Sequence, residues 1–154
     1  KTTIHDTKSL KKISNEPFQA LWLEIKFTKK SSIICGVVYR LHNSADCLLE
    51  YFEETVDQYS ATDKSIYLSG DININILSQR LVIISAILNC LQSYAILPTI
   101  DKPTRVYNNS ASLFDNISLN KFEYYTASGN IVSDLTNHFS QFCILKSTIE
   151  TTKP

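Results

Sequence analysis

Residues 33–39, IICGVVY, form an unbroken apolar run rich in β-branched side chains. Such a run reads as a strand buried on both faces, because no alternate position offers water a polar side chain. A strand of that kind needs material above and below it, which narrows the fold before any other segment is read.

The flanking segments supply that material. FQALWLEIKF (18–27) alternates and carries aromatics, as a strand does, and KKSS (29–32) reads as a hairpin-like connection. RLHNSAD (40–46) is a loop in which Asn43 or Ser44 is placed to cap a helix. In that helix Leu48, Leu49, Phe52 and Val56 share one face. SIYLS (65–69) is a short strand, and Gly70 to Asn75 the turn region at its C-terminal end. Leu81, Ile84, Leu88 and Leu91 predict a second helix over 78–94, apolar nearly all round and therefore sandwiched. Residues 95–112 hold Pro98, Pro103 and an NNSAS cluster and read mostly as loop. Strands follow at 112–119, 122–127 and 140–147, with a loop at 129–139 and a frayed tail, ETTKP. The polar start, 1–16, is ordered only if it pairs with something. The order predicts a mixed α/β sheet with helices covering a face.

At 154 residues the length suits one domain with a substantial core. Fifteen basic residues balance fifteen acidic ones. The chain therefore lacks the overall basic charge of a nucleic-acid binder, and only a local basic cleft is left open. Cys35, Cys47, Cys90 and Cys143 form no CxxC pair, which argues against zinc and fits a reducing, intracellular compartment. Neither a membrane span nor a signal peptide is visible. The chain has no methionine and begins with Lys1, as an internal piece of a longer protein or a processed product would.

Polar residues recur at strand ends: Tyr39 with Arg40, Asp71 with Asn73, Asp115 with Asn116, then Asp134, Asn137 and His138 before the last strand. Converging on one rim, they could bind a hard cation, hold a phosphate and orient a water. Each also has a plainer reading. Asp71 after Gly70 is equally a turn former, Asp115 a backbone-bonded carboxylate, His138 an ordinary loop histidine and Tyr39 a core aromatic. His5 and His42 are assigned to surface loops.

In sequence order FQALWLEI, CGVVYR-x-x-NS, IYLSGDININIL, TIDKPTRV…SASLFDNI and IVSDLTNHF resemble the endonuclease/exonuclease/phosphatase family. The resemblance is to its branch in non-LTR retrotransposons of the jockey/CR1-like type, and it covers about 18–145. It implies a four-layer α/β sandwich, two mixed sheets flanked by helices, here as a single partial domain over 1–154, incomplete at its N-terminus. It also implies Mg²⁺ or Mn²⁺, a DNA partner, a reverse transcriptase domain in the parent polyprotein, and an intracellular location with the nucleus as one option. By resemblance Asp71 orients or deprotonates the attacking water. Asn73 donates to the phosphate, with both side chains leaving the same side of the strand end. Tyr39 reaches the phosphate, and Asp115 holds the His138 imidazole.

Two departures follow from the same comparison. The family ends with Ser-Asp-His, where this chain has Thr136-Asn137-His138, so Asn137 stands without charge at a metal or leaving-group position. Asp134 matches a non-catalytic position. The Asn and metal-binding Glu motifs that precede the FQALW strand are absent, and neither Glu16 nor Glu24 replaces that Glu. Three functions stay open: an endonuclease fragment with little or no activity, a non-catalytic nucleic-acid or protein-binding remnant using a patch of Lys102, Arg105 and Lys121, or a phosphatase of the same superfamily.

Overall fold

The computed structural model describes residues 4, 6–14, 18–27, 31–41, 45–78, 82–133 and 135–146. The expected positions of His5, His42, Asp134, the Asn43 or Ser44 cap, Leu81 and the ETTKP tail lie outside the described residues.

A six-stranded mixed sheet runs in the order β1-β2-β3-β4-β8-β5. The strands are β1 (Asp6–Ser14), β2 (Phe18–Lys26), β3 (Ser32–Arg40), β4 (Ser65–Asp71), β8 (Asp115–Leu119) and β5 (Leu97–Pro98). β3 and β4 pair in parallel, joined by helix α1 (Ala45–Ser60), and the other neighbours are antiparallel. β6 (Arg105–Tyr107) and β7 (Ser110–Ser112) form a hairpin, and β9 (Tyr125–Ile131) pairs with β10 (Ser140–Leu145).

Period-two alternation sorts the side chains between layers. Ala20 and Trp22 of β2, Ile34 and Val38 of β3, and Ile66 and Leu68 of β4 join Leu48, Phe52 and Val56 of α1 in one core. Gly36 lies opposite Trp22, and a Cβ there would stand 2.7 Å from the indole ring, so the glycine makes room for it. The buried indole N–H donates to the Tyr51 hydroxyl at 2.6 Å. On the other face β10 of the β9–β10 ribbon packs against β8, the strand beside β4. There the Tyr67 hydroxyl, pushed up by burial, feels the Cys35 and Cys143 thiols.

Several expectations need correction. β3 is not buried on both faces: Val37 is 53% exposed and Tyr39 44%, because among the described residues no second layer extends over this part of β3. Helix α2 (Val82–Ser93) is not sandwiched. Ile84, Ile87, Cys90 and Leu91 are buried, while Val82, Ser85, Asn89 and Gln92 form an exposed stripe at helical spacing. The polar positions in that stripe made the helix more amphipathic than its apolar content suggested. The span 95–112 holds three short strands, and 122–124 is a 3₁₀ turn preceding β9. The polar start does pair: Asp6–Ser14 runs antiparallel to β2, with an irregularity between Ser9 and Lys11. No helix among the described residues is long and apolar enough to cross a membrane.

Candidate active site

The site is a row across three strand ends. Tyr39 lies beside Asp71 in the β3–β4 register, and Asp71 lies opposite Asp115 in the β4–β8 register. The pleat sends these side chains to the face away from the helices. Gly70 allows β4 to reach Asp71: its φ is +144°, and a Cβ would stand 1.7 Å from the Val38 carbonyl oxygen.

His138 arrives from the segment before β10, through a backbone bridge to Arg105. Its Nδ1 lies 3.0 Å from Asp115 Oδ2. A carboxylate can only accept, so Nδ1 carries the proton and Nε2 is the nitrogen left for other work. One ligating atom each of Asp71, Asp115 and His138 lies within 4.8 Å of the others. Two carboxylates here suit a hard divalent cation, which is commonly held by one or two carboxylates with water completing its shell. Each carboxylate is already engaged: Asp115 with His138, and Asp71 Oδ1 with, among others, the Asn73 backbone N–H at 2.8 Å.

Asn73 departs from the alternating-strand expectation. β4 ends at Asp71, and Asn73 adopts a left-handed backbone with φ 49°, as Asn tolerates in turns. Its side-chain amide donates to the Arg40 carbonyl at 2.7 Å. The isoleucine–asparagine alternation therefore encodes a braced turn. Asn75 Oδ1 accepts from the N–H groups of Leu77 (3.2 Å) and Leu113 (3.0 Å), tying the turn to the approach to β8. Asn116 points to the opposite side and binds Thr99 and Ile100 backbone groups.

Two residues that the sequence analysis named or quoted, but gave no role, support the site. Arg40 is only 4% exposed; its Nε donates to the Ile72 carbonyl at 2.5 Å and its Nη2 to the Asn73 carbonyl at 2.9 Å. Burial pushes its pKa down, and the charge of Asp71 opposes that shift. The available signal was a guanidinium closing an apolar strand. Thr104 is fully buried, and its Oγ1 accepts from the N–H groups of Phe114 and Asp115, both at 3.1 Å. Its carbonyl accepts from the Phe139 N–H at 2.7 Å, so one residue fastens both Asp115 and the His138 segment.

Other expected residues are placed differently. Tyr39 is half-exposed beside Asp71 rather than in the core. Asn137 offers its carbonyl to the Val106 N–H at 3.1 Å. Lys102, Arg105 and Lys121 do not form one patch. Lys121 follows β8 at the far end of the sheet, where it binds Asp63 at 2.7 Å.

No protein-family model matches the chain, and no curated protein matches it. Solved structures do. The endonuclease domain of TRAS1, a telomere-specific non-LTR retrotransposon, superposes with a TM-score of 0.61 and 13% identity, over 82% of this chain and 61% of that one. An endonuclease/exonuclease/phosphatase protein from Bacteroides vulgatus gives 0.63 and 11%, over 92% and 64%. The inositol polyphosphate 5-phosphatase domain of SPsynaptojanin, in complex with inositol (1,4)-bisphosphate and calcium, gives 0.57 and 10%, over 93% and 56%. The chain therefore has the endonuclease/exonuclease/phosphatase fold, and it spans roughly three-fifths of the length of these structures.

Proposed function

We propose that this chain is the C-terminal part of a divalent-metal-dependent phosphodiesterase, a DNA endonuclease domain of a non-LTR retrotransposon, and that alone it is inactive or nearly so. The observation that carries the reading is the meeting of Asp71, Asp115 and His138, distant in sequence, at one strand-end rim. DNA is favoured over a small phosphoester because the KPTR…FDNI stretch resembles the retroelement branch. The likeness to a retrotransposon endonuclease supports the same choice, and the parent protein would carry a reverse transcriptase domain.

In this reading Asp71 orients and deprotonates the attacking water. Asp115 fixes the His138 tautomer, so that Nε2 meets the phosphate and stabilises charge there. Tyr39, beside Asp71 and open to solvent, reaches a non-bridging oxygen. Asn73 has committed an amide hydrogen to Arg40; a carboxamide carries two, and the second serves the phosphate. Mg²⁺ or Mn²⁺, held through Asp71 and Asp115, would supply neutralising charge at the phosphoryl oxygens.

This reading expects low activity of residues 1–154 by themselves, which carry no counterpart of the family's metal-binding Glu and Asn motifs, while Asn137 adds no charge. Losing a metal carboxylate removes several kcal/mol of transition-state stabilisation, and each 1.36 kcal/mol is about tenfold in rate. Plasmid nicking with Mg²⁺ or Mn²⁺ tests this. The isolated chain should stay at the background of its Asp71→Ala variant, and robust nicking abolished by that change would overturn the claim of inactivity. Fused behind the first strands of the TRAS1 endonuclease domain, the chain should nick in an Asp71-dependent way. A folded fusion that hydrolyses inositol phosphates but leaves DNA intact would favour the phosphatase reading.

A further inference from the structure

We propose that Arg105 acts on the site through Phe114, as a positioning residue that holds the plane of the His138 imidazole. A single hydrogen bond at Nδ1 anchors one edge of the ring but leaves it free to swing about that contact. The Phe114 ring removes this freedom: it stacks on His138 with centroids 6.4 Å apart and planes at 29°. Offset stacking of this kind favours one relative orientation of two rings.

Phe114 is braced in turn. The Arg105 guanidinium lies over its ring at 5.7 Å, and over the Tyr107 ring at 5.8 Å, both within cation–π range. The backbone repeats the link independently. Arg105 forms an isolated antiparallel bridge with His138, flanked by the Val106 N–H to Asn137 carbonyl bond (3.1 Å) and the Phe139 N–H to Thr104 carbonyl bond (2.7 Å).

The guanidinium takes this position at a cost. Its Nε is buried with no hydrogen-bond partner, and among the described residues Arg105 has no carboxylate partner. Buried donors are rarely left unpaired, and the exceptions call for a cause. Here the ring contact dictates where the guanidinium sits. Three side chains, Arg105, Phe114 and His138, thus form one column, with Asp115 gripping the imidazole edge and Phe114 its face. The catalytic consequence rests on the reading of His138 as the group that meets the phosphate. The geometry does not, and it can be measured without activity.

The test is NMR on the whole chain with ¹⁵N- and ¹³C-labelled histidine, comparing wild type with Phe114→Leu, Arg105→Gln and Arg105→Lys. Phe114→Leu should move the His138 ring protons, because the ring current of the stacked neighbour is gone. Arg105→Gln should move or broaden the same resonances and reduce the Nδ1–H tautomer. Arg105→Lys, which keeps the cation, should fall between Gln and wild type. Unchanged backbone amide shifts in β2 and β3 establish that each variant folds. Wild-type His138 shifts and tautomer in folded Phe114→Leu and Arg105→Lys would overturn the proposal, even if Arg105→Gln failed to fold. Failure of the fused domain to nick DNA would count against the endonuclease reading and leave this result untouched.

Discussion

Thr104 Oγ1 accepts the backbone N–H of Asp115 at 3.1 Å, so a fully buried hydroxyl sets the height from which the carboxylate reaches His138. The same oxygen accepts from Phe114. Thr104→Val keeps the shape and removes the acceptor, leaving two N–H groups short of a partner at roughly 1–3 kcal/mol each. Thr104→Ser keeps the oxygen and loses one methyl group, worth about 1 kcal/mol. Urea unfolding should therefore rank wild type above Ser and Ser well above Val. Equal midpoints for Ser and Val would show that the hydroxyl is not what holds Asp115.

Gly70 is required by its backbone and by the space around it. At φ +144° an L side chain is strained, and the nearest neighbour of an added Cβ is the Val38 carbonyl oxygen, which cannot rotate away. Gly70→Ala should cost more than about 3 kcal/mol, in the range reserved for backbone incompatibility. A variant that unfolds within about 1 kcal/mol of wild type would mean that β4 reaches Asp71 by another path.

Glu24 brings a pH dependence far from the site. Its carboxylate accepts from Lys64 Nζ and Ser32 Oγ, both at 2.7 Å, joining β2 to β3 and to the approach to β4. The Lys64 hydrogen bond, then that of Ser32, holds its pKa below the ordinary value, against a smaller upward push from burial. A depressed folded pKa gives stability that is present above the ordinary glutamate pKa and is lost as pH falls through the folded value. Denaturant midpoints of wild type should thus decline on acidification more steeply than those of Glu24→Gln. Parallel curves would remove Glu24 as a contributor.

Legibility in the sequence followed how local each signal was. The alternation of β2 and the one-sided α1 were readable because their periods are intrinsic to the segment. β5, β6 and β7 were not: they span two or three residues each and exist because a partner strand lies alongside. β1 carries mostly exposed side chains, and pairing with β2 holds it. Asp71, Asp115 and His138 could be gathered from the sequence only as part of a longer set of strand-end polar residues, and resemblance singled them out, since no spacing along the chain announces that β4, β8 and the segment before β10 meet. Asn73 was misplaced because alternation was read through a point where the strand had ended and turn chemistry had taken over. Thr104 stood inside the quoted KPTR stretch, but its role left no trace, for a buried hydroxyl with two backbone donors looks like any threonine.

Arg40 decides whether that turn keeps its shape. Its guanidinium donates to two successive carbonyls, Ile72 and Asn73, while the Asn73 amide donates back to the Arg40 carbonyl. The exchange locks the chain immediately after Asp71, whose Oδ1 accepts from the Asn73 N–H within the same turn. A lysine keeps the charge, but it is a point charge on a flexible stem and cannot reproduce the fixed fork that serves both oxygens. Arg40→Lys should cost roughly 1–3 kcal/mol, the penalty for a buried polar group losing its partner. Arg40→Met should cost more, because both carbonyls lose the guanidinium. In native-state hydrogen exchange, the Asn73 amide should lose protection in both variants before the amides of β2 and β3 do. If Asn73 exchanges as slowly in Arg40→Met as in wild type, the turn is held by Asp71 and Asn73 alone, and the buried guanidinium has no part in placing the candidate base.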